Sequence, residues 1–404
     1  MTTTEVIETE RRVLLGTYAR PKFVLTHGEG VHVFDKDGKR YLDFVAGIAV
    51  NGLGYADQGA VRTLQEQATN LWHCSNLYYT EPQVRLAKLL VEKTFADKVF
   101  FANSGTEAVE GAIKLARKWG KETKGQDGFE FVAFENSFHG RSMGALSATG
   151  QAKFREDFQP MLPGFRFAAF NDLDSTAALI SPRTCAVIVE PVQGEGGVYP
   201  AEAEFLPGLR KLCDQQRCLL ILDEIQCGLG RTGTFCAYEQ YGIRPDMMVI
   251  AKPLAGGLPM GAILMTDEIA EHVKVGNHGS TFGGGPLIAS VAEYVVEKIS
   301  QPAFLKQVRE NGEYLRWQLE KLLPAGPEIV AVRSKGLMFG VDLSIAAQLV
   351  IESCAEHGLL VCKAGDKTLR LVPPLIVERP HIDEAVRILK LAFQTVRDSH
   401  VEKS

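Results

Sequence analysis

The strongest constraint on the fold is the alternation of short apolar runs with helical patterns. Runs at 129–134, 184–190, 218–223, 246–251 and 262–265 have the length and bounding of strands buried on both faces. A helical pattern at about 203–216 separates two of them. Strands alternating with helices predict an α/β fold with a mainly parallel sheet. Functional loops then belong at the carboxyl ends of the strands.

Polar residues gather at those ends. The run 247–251 stops on Lys252, followed by Pro253-Leu-Ala-Gly256-Gly257. Desolvating a lysine there is costly. Either it caps the strand and reaches solvent, or it becomes neutral, as it does in a Schiff base with a carbonyl cofactor. The run 219–222 stops on Asp223-Glu224-Ile225-Gln226. Asp223 is either a salt-bridged strand end or the partner of a protonated pyridine nitrogen. The strand expected at 98–102 leads into Asn103-Ser104-Gly105-Thr106-Glu107 and an amphipathic helix at 108–119. Ser104-x-x-Glu107 fits a capping box, and the helix start is either an ordinary cap or a phosphate cradle.

Four further stretches have the same character. In Asn136-Ser-Phe138-His139-Gly140-Arg141, Phe138 suits stacking on a planar ring and Arg141 suits a carboxylate. His139 has no second His or Cys at metal spacing, so it is read as packing or support, and no metal site is expected. In Glu190-Pro-Val-Gln-Gly-Glu195-Gly-Gly197, Glu195 is either an isolated surface acid or the partner of an arginine. Arg370 sits inside an apolar strand, 368–372, where a carboxylate partner is expected. Gly279-Ser280-Thr281-Phe282-Gly283 precedes a helix at 286–300 and suits an anion. Gly228-x-Gly230-x-x-Gly233 matches the dinucleotide pattern, but the strand lies too far ahead of it and no clear helix opens at Gly233.

The 404 residues are 46% apolar and 23% charged, with a formal net charge of −5. Those values describe a globular chain of two to three domains, without the basic footprint of a nucleic-acid binder. No apolar run approaches a membrane span. The acidic N-terminal stretch lacks an apolar signal region, so a cytoplasmic protein is expected. The eight cysteines form no Cys-x-x-Cys pair and read as free thiols. Elsewhere, the patterns predict helices at 5–19, 58–71 and 81–93. They also predict a hairpin of two strands, 26–35 and 36–44, turning at Asp37-Gly38. The tail is expected to carry a helix to about 323, strands near 332, 337–343, 359–361 and 368–372, and a last helix from about 381.

Six of these motifs, in this order and spacing, resemble the class III aminotransferases: those at 103–107, 137–141, 190–197, 223–226, 251–252 and 279–283. The likeness runs from about Tyr18 to the C-terminal helix. It implies the type I pyridoxal-phosphate-dependent transferase fold, with a large α/β domain at 66–305 and a smaller α+β domain from 1–65 and 306–404. It implies pyridoxal 5′-phosphate as cofactor, bound as a Schiff base to Lys252, with Asp223 at the pyridine nitrogen and Gln226 by the ring hydroxyl. Phe138 would stack on the ring. Gly105 and Thr106 would hold the phosphate with Ser104 beside them, and Glu224 and Ile225 would complete the cofactor contacts. Thr281 would reach the phosphate bound by a partner subunit, making a homodimer with shared sites, and Ser280 would lie near substrate. Arg141 would take the carboxylate distal to the reacting amine, Arg370 the α-carboxylate of glutamate, and Glu195 would mask Arg370 for the other donor.

The implied reaction moves the δ-amino group of N2-acetyl-L-ornithine to 2-oxoglutarate, giving N-acetylglutamate 5-semialdehyde and glutamate in arginine biosynthesis. Ornithine, N-succinylornithine, 4-aminobutyrate and carrier-linked lysine are alternative donors. A nicotinamide-dependent oxidoreductase using the glycines at 228–233 is the alternative from another class. Tyr55, Cys74, Pro253 and Gly285 depart from the family's common residues.

Overall fold

The computed structural model describes residues 1–323 and 328–401, with side chains through 398. Near the start, β1 (Leu25–Glu29), β2 (His32–Asp35) and β3 (Arg40–Asp43) form an antiparallel meander. The single strand expected at 26–35 is two strands, because the chain reverses at Gly30, whose φ is 55°. The expected Asp-Gly turn joins β2 to β3, where Asp35 Oδ1 accepts from the amides of Asp37 and Lys39.

Next in the chain are β4 (Lys98–Ala102), β5 (Glu130–Phe134), β6 (Phe165–Ala168) and β7 (Thr184–Val189). The short β8 (Val192–Gln193) and β9 (Tyr199–Pro200) precede β10 (Leu219–Asp223), β11 (Met247–Ile250) and β12 (Gly261–Met265). The C-terminal part adds β13 (Ile329–Lys335), β14 (Met338–Leu343), β15 (Leu359–Leu360), β16 (Cys362–Lys363) and β17 (Thr368–Leu371).

Seven strands make the central sheet, in the order β4-β12-β11-β10-β7-β5-β6. It is parallel except at β12, which runs against both neighbours. Every residue of β5, β7, β10 and β11 is buried, because helices cover both faces. The two-residue period divides β10 between two cores: Leu220 and Leu222 face one, Leu219 and Ile221 the other. Each such side chain contributes about 2 kcal/mol on burial. The Pro286–Ile299 helix packs in the first core and the Gly105–Lys124 helix in the second. β6 was not expected. It is a half-exposed edge strand, and Phe-Arg-Phe-Ala is too short to show its period.

Chain ends meet in a smaller sheet: β15 pairs in parallel with β3, matching Leu359 to Leu42. A second small sheet has the order β13-β14-β17-β16. The expected domain limits fall inside helices, 65 within Gln58–Ala68 and 305 within Pro302–Glu320. The first helix, Thr3–Val13, ends earlier than expected.

Candidate active site

Parallel register brings the polar strand ends together. Asp223 is level with Val249, three residues before Lys252, and Leu222 is level with Val189, the residue before Glu190. These ends open into a cavity of about 430 Å³, lined among others by Ser104, Gly105, Thr106, Phe138, Arg141, Asp223, Ile225, Gln226 and Lys252.

Lys252 leaves its strand with φ 37°, a left-handed conformation costly for any residue with a Cβ. Pro253 follows in a one-turn segment, Lys252–Ala255, which fixes the bend. Burial of the amine pushes Lys252 down to about 8, and the nearby Arg370 charge adds to this, while Glu195, Asp223 and Glu190 oppose it.

Asp223 Oδ2 lies 2.7 Å from His139 Nδ1, and its Oδ1 accepts from Ile225 N at 3.1 Å. His139 is therefore a support for the acid, as its lack of metal spacing implied. Burial lowers the His139 pKa, but the Asp223 hydrogen bond and charge outweigh burial and raise it. Glu190, to which no separate role was assigned, joins two site loops. Its Oε2 accepts from Phe138 N at 3.0 Å and its Oε1 from Gly194 N at 3.2 Å.

The helix from Gly105 is capped by Ser104, whose Oγ accepts from Glu107 N at 3.3 Å. Glu107 reaches back to Asn103 N rather than to Ser104 N, so the expected capping box is shifted by one residue. Amides of Gly105 and Thr106 occupy the first turn, where no intrahelical acceptor exists. A Cβ at Gly105 would lie 2.9 Å from Ile225 Cδ1, so glycine lets Ile225 pack closely against the helix start.

Arg141 is exposed, 4.1 Å above the Phe154 ring and 5.6 Å from that of Phe138, and no carboxylate pairs with it among the described residues. Arg370 is 2% exposed and pairs with Glu195 through Nη1. The same Nη1 donates to Gln226 Oε1 at 3.1 Å, and Gln226 Nε2 donates to Glu195 Oε1 at 3.4 Å. Burial pushes the Glu195 carboxyl up, but the charge and hydrogen bond of Arg370 more than reverse this. A further partner escaped the sequence reading: Arg370 Nε donates to Cys362 Sγ at 3.4 Å. The two lie eight residues apart on neighbouring strands, and only the pairing of β16 with β17 joins them.

Glu195 and Arg370 stand outside the cavity lining and are joined to it through Gln226; three other expected site residues also lie elsewhere in the single chain. Glu224 is turned away from the cavity, its carboxylate accepting from Ala237 N at 2.6 Å and Tyr238 N at 2.8 Å. Thr281 is exposed and outside the cavity lining. Ser280 Oγ accepts from Gly283 N at 3.0 Å and from Asn103 Nδ2 at 3.3 Å, at the rim of the site. The stretch 228–233 is a packed loop: Gly230 and Gly233 have φ of 86° and 93°, and a five-residue turn, Ala237–Tyr241, comes next. It is not a dinucleotide fingerprint, which needs a helix at that place.

A reactive lysine, an acid held by a histidine, unpaired helix-start amides and two arginines together define a pyridoxal-phosphate-dependent transaminase site. Residues 17–393 match the family Aminotransferase class-III, and the chain belongs to that family. It is 48% identical over 390 residues, 95% of this chain and 86% of its relative, to the mitochondrial acetylornithine aminotransferase of Alnus glutinosa. It is 44% identical over 393 residues, 95% of each chain, to the succinylornithine transaminase of Yersinia enterocolitica. The crystal structure of N-acetylornithine aminotransferase from Stenotrophomonas maltophilia superposes with a TM-score of 0.85 at 36% identity, covering 97% of this chain and 100% of that one.

Class III aminotransferases use pyridoxal 5′-phosphate, and the residues present fit it. The helix-start amides of Gly105 and Thr106 line the cavity and suit a phosphate. Lys252 has the lowered basicity that attack on an aldehyde needs.

Proposed function

We propose that this transaminase moves the δ-amino group of N2-acetyl-L-ornithine to 2-oxoglutarate, a step of arginine biosynthesis. The arginine pair supports a donor that reacts at its far end, and the acetylornithine aminotransferase relatives favour this one. Arg141 is open to a carboxylate, while Arg370 is closed by Glu195. Both substrates have a distal carboxylate for Arg141. Only glutamate and 2-oxoglutarate have one beside the reacting carbon, so only they open the Glu195 pair. Against N2-acetyl-L-ornithine, an unpaired Arg370 would be a desolvated charge, and Glu195 removes it.

Pyridoxal phosphate supplies an aldehyde that condenses with amines and a pyridinium that takes up electrons. The rest falls to the chain. Lys252 would hold the cofactor through its amine, and that amine, when free, would take a proton from the substrate carbon that bears the nitrogen and deliver it to the cofactor's carbonyl carbon. Asp223, fixed by His139, would hold a proton on the ring nitrogen. Phe138, whose amide is held by Glu190, would cover a ring face. Gly105 and Thr106 would bind phosphate by their amides, with Ser104 beside them. Ile225 lines the floor, and Gln226 links the ring side of the cavity to the gate.

The proposal includes a homodimer in which Thr281 reaches the phosphate bound by the partner. Its support is the exposed apolar side chains of Trp72, Leu77, Tyr78 and Tyr79 in one stretch and of Phe282 next to Thr281 in another, the two stretches joined where Asn76 Nδ2 donates to the Ser280 and Gly283 carbonyls. A cytoplasmic location is supported by eight unpaired cysteines, which suit a reducing compartment. Among the described residues no helix is long and apolar enough to cross a membrane. We keep the division into 1–65, 66–305 and 306–404 as a proposal, supported by the joining of β15 to β3.

The succinylornithine relative favours a second donor, N-succinylornithine. A panel of amino donors decides: each is mixed with the cofactor-loaded protein, and the cofactor's absorbance change is timed. N2-acetyl-L-ornithine is expected to react with the highest specificity. Faster reaction with ornithine or 4-aminobutyrate would overturn the assignment.

A further inference from the structure

A guanidinium offers two edges on which a carboxylate makes paired hydrogen bonds. One is formed by Nε and the nearer Nη, the other is the Nη1/Nη2 end. In Arg370 the first edge is taken by a thiol. Nε donates to Cys362 Sγ at 3.4 Å, and the thiol lies 3.8 Å from the Arg370 carbonyl oxygen, to which it donates. Register fixes this contact, since Cys362 stands opposite Arg370 across the β16–β17 ladder. At the other end, Nη1 holds Glu195 and Gln226. Among the described residues Nη2 has no hydrogen-bond partner.

We infer that Cys362 is a specificity-determining positioning residue. It closes the Nε edge of Arg370 and keeps the guanidinium in place when Glu195 withdraws. An incoming α-carboxylate is thereby directed onto the Nη1/Nη2 end, the end that Glu195 vacates. This rests on the reading of Arg370 as the α-carboxylate site for glutamate and 2-oxoglutarate.

Chemistry makes the thiol suitable for this. Its sulfur accepts weakly, so it holds Nε without the charge that would compete for the whole guanidinium. A carboxylate at 362 would neutralise Arg370 permanently and remove the gate. An apolar residue would leave a buried Nε–H without an acceptor, and the guanidinium would be free to turn and offer either edge. One half of the catalytic cycle does not depend on the thiol. With N2-acetyl-L-ornithine the Glu195 pair stays closed, and Glu195 with Gln226 holds the guanidinium from the other side. Loss of the thiol therefore affects one half-reaction selectively.

The test compares cofactor-loaded wild type, Cys362→Ala, Cys362→Ser and Arg370→Ala in single-turnover half-reactions. Glutamate is one donor and N2-acetyl-L-ornithine the other, both followed by cofactor absorbance. Cys362→Ala is expected to raise the half-saturating glutamate concentration about fivefold, the effect of one modest hydrogen bond. The limiting rate and the N2-acetyl-L-ornithine half-reaction stay within about twofold, which also shows that the site is intact. Cys362→Ser keeps an acceptor and recovers most of the loss. Unchanged glutamate saturation, equal loss in both halves, or a serine variant no better than alanine would overturn the inference. Arg370→Ala separates the two levels: equal damage to both halves in that variant removes the α-carboxylate reading, and the role of Cys362 falls with it. Selective damage there, with no effect at Cys362, leaves the reading standing and refutes only the positioning role.

Discussion

Replacing Lys252 with Met removes an amine that the fold holds at a cost. Burial pushes this lysine from 10.5 down to about 8 in the folded protein. Below pH 8 the amine is charged in both folded and unfolded chains, and the folded state bears the desolvation. The difference of 2.5 units corresponds to about 3 kcal/mol. Between about 8 and 10.5 the folded chain binds fewer protons than the unfolded one, so stability rises with pH in that window. Above it both states are neutral and the penalty is gone. Met fills nearly the same volume without a charge. Cofactor-stripped Lys252→Met should therefore be more stable than stripped wild type by about 3 kcal/mol at pH 7 and by about 1 kcal/mol at pH 10. Urea unfolding of both proteins at the two pH values measures this, and other groups titrating near pH 10 cancel in the difference. A gap that does not change with pH, or a less stable variant, would refute the desolvated amine.

Arg370→Ala should slow the glutamate half-reaction far more than the N2-acetyl-L-ornithine half-reaction, by a charge-pair loss of about 2–5 kcal/mol, whereas Arg141→Ala should damage both; matching losses in the two variants would contradict the distinct roles. Asp223→Asn should lower turnover more than about tenfold, or 1.4 kcal/mol in the barrier, while the cofactor still binds, as steady-state rates and absorbance spectra will show. Glu224→Ala leaves two buried amides without an acceptor and should cost about 2–4 kcal/mol in thermal or urea stability with the bound cofactor's spectrum unmoved; a changed spectrum would return Glu224 to the cofactor site. Thr281→Asp should weaken cofactor binding, and mixing that protein with Lys252→Ala subunits under exchange should restore activity; no recovery would argue against a shared site.

The strand ends were readable because each motif is local. Apolar runs announce buried strands, and the polar residue that ends each run marks the loop above the sheet. Lys252, Asp223, Phe138 and the Ser104–Thr106 helix start are all of this kind, and all line one cavity. Arg370 was recognisable as an arginine needing a carboxylate, since an apolar strand cannot leave it unpaired. Family resemblance supplied Glu195 as the partner, 175 residues away, and the folded chain places the two in contact.

What the sequence could not contain is direction and register. Asp223 and Glu224 are adjacent acids on one strand end, and successive side chains point to opposite sides. One enters the cavity and meets His139; the other turns out to cap a later turn. No local pattern says which. The left-handed backbone at Lys252 has no compositional mark, because the strain is held by packing around it. Cys362 looked like any thiol in an apolar stretch until the β16–β17 pairing set it opposite Arg370. Glu190 reaches the Phe138 loop only because β7 lies beside β5. Local chemistry is written along the chain. Which groups touch depends on strand order and register, which packing between distant parts of the chain decides.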